Sequence, residues 1–172
     1  MELYVERGYE QTTVAEIAER AGVTARTFFR YFADKREVLF AGSTALQEGL
    51  VAALEGAPKS ASPMEAVWAA LETAATMLGE RHDYSRRRQT VIAANPELQE
   101  RELIKMASLS AALASGLRRR GVRDPDATLA AAVGMAVFQV AFERWVSGPR
   151  TRTLPRTMRE SYDKAMTLAS TI

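Results

Sequence analysis

Apolar residues recur at intervals of three and four along almost all of the 172 residues, and no stretch keeps the two-residue rhythm of a half-buried strand. Such a chain buries its apolar surface by packing helix on helix, so an all-α protein is expected. Caps and breakers divide the pattern. Thr13 with Glu16, Asp34 with Glu37 and Ser62 with Glu65 have the spacing of capping boxes, the last with Pro63 in the favoured first-turn slot. Asn95-Pro96 and Asp124-Pro125 read as the starts of two further helices. Breaks fall at Gly22, across GAPKSAS (residues 56–62), at Gly121 and at Ser147-Gly148-Pro149. Helices are thus expected from Met64 to Leu78, Glu97 to Arg120 and Asp126 to Val146. A lever helix is expected from Asp34 to Glu55. GAPKSAS is the best candidate for a boundary, and neither a repeat nor a low-complexity tract is present.

The front of the chain is the most specific. Thr13 to Ala21 carries Val14, Ile17, Ala18 and Ala21 on one stripe, and a second short helix capped by Thr24 carries Phe28 and Phe32 on the matching one. Two short helices joined at Ala21-Gly22-Val23 have the form of a helix-turn-helix. In that motif the second helix enters the DNA major groove and offers its N-terminal side chains to base edges. With Phe28 and Phe32 inward, a turn of about 100° per residue sends Ala25, Arg26, Phe29 and Arg30 outward. Four basic residues (Arg26, Arg30, Lys35, Arg36) face one acidic residue, Asp34, between Ala21 and Arg36. The competing reading of this stretch is a plain amphipathic hairpin with a solvated arginine face.

The run TTVAEIAERAGVTARTFFRYFADKREVLF strongly resembles the DNA-binding domain of the TetR family of bacterial transcriptional regulators, with residues 3 to 40 covered densely. The resemblance implies that Thr13 and Thr24 meet phosphates at helix starts and that Ala25, Arg26 and Phe29 approach bases. It further implies that Tyr31 and Lys35 clamp the DNA backbone. Phe29 stands where the family often has Tyr, so contact with a thymine methyl would replace a hydroxyl contact to phosphate. Family members usually carry a full first helix before the ERGY segment, so the chain is expected to begin inside that helix, leaving Val14, Ile17 and Phe32 less covered. The division that follows is a DNA-binding domain over residues 1–42 and a ligand-binding and dimerisation domain over 43–172.

The remainder is read from pattern. Leu129 to Phe142 holds one polar side chain, Gln139, around its full circumference, and a helix apolar all round is buried on all sides. One side is covered from within the chain, and a second copy is expected on the other. The last helix, with Leu154, Met158, Tyr162, Ala165, Met166 and Ala169, offers a matching stripe for a homodimer built on the last two helices. Ala130 and Gly134 would let backbones approach closely there.

Trp68, Met77, Met106, Leu109, Met135, Phe138 and Phe142 form a candidate lining for an apolar effector cavity, methionines being able to repack around varied ligands; the bland alternative is ordinary core. Gln139 is either the polar anchor of that cavity or a hydrogen bond across the dimer. His82 is either a satisfied helix-end residue or a ligand contact. The segment YSRRRQTVIAANPEL and the later FERW resemble the TetR subgroup with an acyl-CoA-type ligand domain, which would set one or two of Arg86, Arg87 and Arg88 against a CoA phosphate.

Composition excludes more than it proves. The chain has no cysteine and one histidine, so neither a disulfide scaffold nor a thiolate or histidine metal cluster is available. No signal peptide opens it, and the apolar run Leu129 to Phe138 is half of the roughly 20 residues that span a bilayer, so a cytoplasmic protein without membrane contact is expected. Of the 23 basic residues all but four are arginine, gathered at 86–88, 118–120 and 144–159, through either codon bias or anion binding. No nucleophile elbow, metal-ligand helix or phosphate-cradling loop is present, which disfavours an enzyme, and no cofactor is implied. The expected function is a ligand-responsive regulator, most simply a repressor released from a palindromic operator by a small hydrophobe such as a fatty acyl-CoA. The alternatives are an activator and a helical ligand-binding protein without regulatory DNA binding.

Overall fold

The computed structural model describes residues 1–170, which form nine α-helices, one 3-10 turn and no strand. They are α1 Glu2–Arg7, α2 Val14–Arg20, α3 Ala25–Tyr31, the 3-10 turn Lys35–Val38, α4 Ser43–Gly56, α5 Pro63–Gly79, α6 His82–Ala93, α7 Pro96–Arg119, α8 Asp124–Val146 and α9 Leu154–Ala169. The capping boxes of Thr13 with Glu16 and Ser62 with Glu65 are both closed, each residue donating its backbone N–H to the other's side chain.

Two expected caps are made differently. Glu37 does not reach back to Asp34; it turns to Arg101 (2.7 Å) and Lys105 (3.6 Å) of α7. The Asp34 carboxylate accepts instead from the Arg36 N–H (2.8 Å) and the Arg36 guanidinium, which holds its carboxyl below the usual carboxylate range. The lever helix is therefore interrupted: the 3-10 turn ends at Val38, and α4 starts only after Gly42, whose φ of 90° is the left-handed backbone that glycine takes without strain. Asn95 caps no donor of α7; its Nδ2 donates to the Val91 carbonyl (2.6 Å) and closes the end of α6.

The first three helices and the 3-10 turn form a head on a larger helical body. In the body, the alanine-rich face of α5 (Ala66, Val67, Ala70, Leu71, Ala74) lies on α8 through Ala127, Ala131, Phe138 and Ala141, with α7 and α9 packed alongside. Among the described residues α8 is the one helix long and apolar enough to cross a bilayer by length and composition. Its inward face, with Ala127, Ala131, Phe138 and Ala141, is packed as core, and its other face is exposed through Leu129 and Val140.

Gly134 faces inward, contrary to the expectation that it serves a dimer contact: a Cβ there would sit 2.4 Å from Val67 Cγ1 and 3.2 Å from Leu71 Cδ1. Ala130 is buried on the same side. The uncovered stripe of α8 runs instead through Leu129 (64% exposed), Ala132, Ala136 and Val140 (51% exposed). Gly134→Ala should overpack the α5–α8 seam and lower stability by about 1 to 3 kcal/mol, read as a lower urea midpoint at unchanged slope.

Candidate DNA interface and effector cavity

Thr24 starts α3 by accepting the Thr27 N–H on its hydroxyl (3.1 Å), and Thr13 starts α2 in the same way through Glu16. Both hydroxyls are therefore already engaged, while both residues stay on the surface. On α3, Phe28 is buried, with Phe29 edge-on to it at 5.4 Å and Phe32 tilted at 5.3 Å. This leaves Ala25, Arg26, Phe29 and Arg30 on one exposed face, with Phe29 57% exposed although it is fully apolar. Tyr31 is 70% exposed and accepts a hydrogen bond from Arg30 at 3.1 Å. Arg36 is tied to Asp34, so Arg26 and Arg30 are the guanidiniums that this surface presents outward.

Lys35 stands elsewhere than the family resemblance implies. Its ammonium donates to the carbonyls of Tyr9 (2.8 Å), Glu10 (3.1 Å) and Thr12 (3.1 Å) and lies 4.3 Å from the centre of the Tyr9 ring. An ammonium has three donors, so all of them are spent on the loop between α1 and α2. Tyr4 completes the knot by donating to the Lys35 carbonyl at 2.6 Å. Burial pushes the hydroxyls of Tyr4 and Tyr9 well above the ordinary phenol range, so Tyr4 remains a donor at any physiological pH. Val14, Ile17 and Phe32 are each half-buried.

Between α4, α6, α7 and α8 lies a cavity of about 820 Å³. Of the eight expected lining residues it brings together Met77, Met106, Leu109, Phe138, Gln139 and Phe142. Two do not reach it. Trp68 faces α9, its ring 4.8 Å from that of Tyr162, and Met135 is absorbed into the packed core. Gln139 is exposed and donates to Glu143 (3.3 Å).

The wall also includes residues that the sequence reading missed: Leu39 and Phe40 after the 3-10 turn, Leu46 on α4, and Arg81, Tyr84, Ser85, Gln89 and Ile92 along α6, beside the expected Arg88. The α6 members recur at three and four, a signal hidden by their polarity. Arg86 and Arg87 lie on the exposed face of α6, outside the cavity. Arg88 does line the cavity, but its guanidinium is bonded to Glu102 (2.6 and 3.2 Å) and to the Leu39 carbonyl (2.7 Å). His82 stays out of the lining; its ring packs edge-on against Trp145 and its Nε2 lies 3.2 Å from the Trp145 carbonyl oxygen. A second cleft of about 780 Å³ separates Tyr31 to Thr44 from Glu97, Glu100 and Arg101 of α7.

Comparison with known proteins identifies the family. Residues 1–41 match the bacterial regulatory proteins of the tetR family, and residues 61–168 match the MftR C-terminal domain. The chain belongs to the TetR family. It is a transcriptional regulator rather than an enzyme. The HTH-type transcriptional regulator TcmR of Streptomyces glaucescens is 46% identical over 67 residues, which span 39% of this chain and 30% of TcmR. The putative mycofactocin biosynthesis transcriptional regulator MftR of Mycobacterium tuberculosis is 27% identical over 152 residues, 85% of this chain and 75% of MftR. Among solved structures, the TetR-family repressor FadR of Thermus thermophilus in complex with lauroyl-CoA superposes with a TM-score of 0.56 at 22% identity, covering 95% of this chain and 87% of FadR. A transcriptional regulator from Aquifex aeolicus superposes with a TM-score of 0.54 at 16% identity, covering 97% and 93%. At such identities these two likenesses concern the fold.

The TetR-type head accordingly depends on Lys35 from within. Lys35→Met should remove three charge-assisted hydrogen bonds and destabilise the head by about 1.5 to 3 kcal/mol, seen as faster amide exchange across α1 and α2.

Proposed function

We propose that this regulator is a cytoplasmic repressor that binds a palindromic operator as a homodimer and is released by an elongated hydrophobic effector of the fatty acyl thioester class. The observation that carries the DNA reading is the exposed face of α3. An apolar ring that is more than half exposed between two unpaired-with-acid arginines suits a groove floor of thymine methyls and guanine edges better than it suits water. Arg26 and Arg30 read bases or phosphates there, Phe29 and Ala25 contact methyls, and Thr13, Thr24 and Tyr31 approach the backbone. Lys35 supports the head instead of touching DNA.

The uncovered α8 stripe of Leu129, Ala132, Ala136 and Val140, with Met166 and Leu168 exposed on α9, supports a second copy on that face. Two recognition helices would then lie about 34 Å apart or slightly more, one turn of duplex. A working boundary between residues 42 and 43 follows from the joint at Gly42.

The 820 Å³ cavity lies within the usual range of about 300–1,000 Å³ for small-molecule sites, and its methionine and phenylalanine walls suit an acyl chain. The lauroyl-CoA bound to FadR, which shares the fold, supports the same ligand class. A charged head group would lie at Arg81, on the exposed rim beside Tyr84, since Arg88 is occupied. An effector acts only through its preference for one arrangement of the dimer over the other.

Fluorescence anisotropy on a palindromic duplex from the gene's own upstream region tests the proposal. Arg26→Ala should relax base preference and cost about 1 to 3 kcal/mol, and acyl-CoAs should release the wild-type complex with a dependence on chain length. Equal loss on all sequences, or release indifferent to chain length, would contradict the assignments.

A further inference from the structure

Arg88 occupies a position that the cavity reading alone does not explain. It sits on the wall contributed by α6, yet its three engaged N–H groups serve two other elements. Nε donates to the Leu39 carbonyl at 2.7 Å, while Nη1 and Nη2 grip both oxygens of Glu102 on α7 at 3.2 and 2.6 Å. The guanidinium carbon also lies 4.9 Å from the centre of the Phe40 ring. Both charged side chains are largely removed from solvent, at 16% and 19% exposure.

Leu39 and Phe40 begin the joint that ends at Gly42 and links the head to α4. The hydrogen bonds around that joint run from Phe40 N–H to the Glu37 carbonyl and from Ser43 N–H to the Phe40 carbonyl, so the partner of the Leu39 carbonyl is Arg88. A buried carbonyl that loses its partner is costly, and so is a carboxylate that loses its guanidinium, so the three groups hold or release together. Arg101, the residue of α7 before Glu102, pairs with Glu37 of the 3-10 turn at 2.7 Å. The same helix thus holds the head in two ways: Arg101 and Lys105 directly through Glu37, and Glu102 through Arg88.

Both partners of the second tie, Arg88 and Glu102, line the cavity, whereas Glu37 and Arg101 of the first do not. Leu39 and Phe40 line it with them, and Arg101 lines only the second cleft, which shares Phe40 to Thr44 and Lys105 with the cavity. The other cations of the cavity wall are Lys105, which pairs with Glu37, and Arg81, which lies over Tyr84 at the rim. Arg88 is the wall cation bonded to the backbone of the joint.

We propose that Arg88 is the positioning residue that sets the head on the body, and that filling the cavity reaches the recognition helix by loosening its bonds to the Leu39 carbonyl and Glu102. The part concerning the ligand rests on the reading of the cavity as the effector site. The tie between head and body does not. A ligand that parts α6 from α7 stretches the Arg88–Glu102 fork first, because it is the contact between those helices that also carries the joint.

The chain has no native cysteine, so paired spin labels can be placed at Glu19→Cys on α2 and Ala111→Cys on α7, both exposed, and diluted with unlabelled chain. Pulsed dipolar spectroscopy should give one narrow distance in the otherwise wild-type protein. Arg88→Met should broaden or shift it with the helical signal unchanged. Should Arg88→Met not fold, Glu102→Gln, which keeps the bond to Leu39, should broaden it to a smaller degree. Lauroyl-CoA should move the wild-type distance and leave that of the variant where it is, while tryptophan fluorescence still reports binding. An unchanged distance in the folded variant overturns the inference. A broadened variant with no wild-type response to lauroyl-CoA upholds the tie and overturns the acyl thioester reading instead.

Discussion

The head of this protein cannot close its own core, and much of the architecture follows from that. Helices of six and seven residues bury too little apolar surface to stand alone, since isolated helices of that length are unstable in water. Tyr4, Tyr9, Leu39 and Phe40 therefore pack against Val91, Ile92 and Leu98, which belong to α6 and the start of α7. The body supplies the wall that the head lacks. The same α6 also lines the cavity, and Leu39, Phe40 and Ile92 belong both to the head's core and to the cavity wall, so the two adjoin along one helix. Lys35 and Tyr4 hold the rest of the head around this contact, drawing the loop between α1 and α2 onto the 3-10 turn.

Within the body, support is uneven along α4. Its C-terminal end is clamped: Arg120 donates to the carbonyls of Leu54, Glu55, Ala57 and Pro58 at 2.6 to 3.3 Å, Arg119 pairs with Glu55, and Gly116 lets Leu54 approach within 3.0 Å of where a Cβ would stand. Its N-terminal end follows Gly42 and borders the cavity through Ser43 to Gln47. The close α5–α8 seam at Gly134 adds a rigid floor, because interiors packed at crystal-like density transmit displacement instead of absorbing it. A rigid floor, a helix pinned at one end and a joint at the other place the compliant part of the molecule beside the head.

The features that could be read from the chain were those decided within a few residues. Thr13 with Glu16, Thr24, the inward Phe28 and the outward Arg26, Phe29 and Arg30 all follow from local spacing, and the structure forms them as spaced. What could not be read depends on partners far along the chain. Glu37 has the right spacing for a cap, yet Arg101 and Lys105, more than 60 positions away, offer it charge-assisted bonds that a cap does not. Lys35 is a basic residue beside a DNA-reading helix by sequence, and a hub for three carbonyls by structure. Gly134 announces a close approach without saying to what, and Trp68 finds its partner in the Tyr162 ring of α9, 94 positions along the chain. On α6 the run of three arginines does not say by itself which one turns inward, and it is Arg88, with Tyr84, Ser85 and Gln89, that lines the cavity.

The central claim is that head and body share one core through α6. Native-state hydrogen exchange on Ile92→Ala tests it most directly, because Ile92 is fully buried and removes only apolar contact when truncated. Exchange should quicken together across α6 and across the head helices α1 to α3, by comparable factors. Faster exchange confined to α6, with the head amides as protected as in the wild type, would show that the head is stable by itself and would contradict the account.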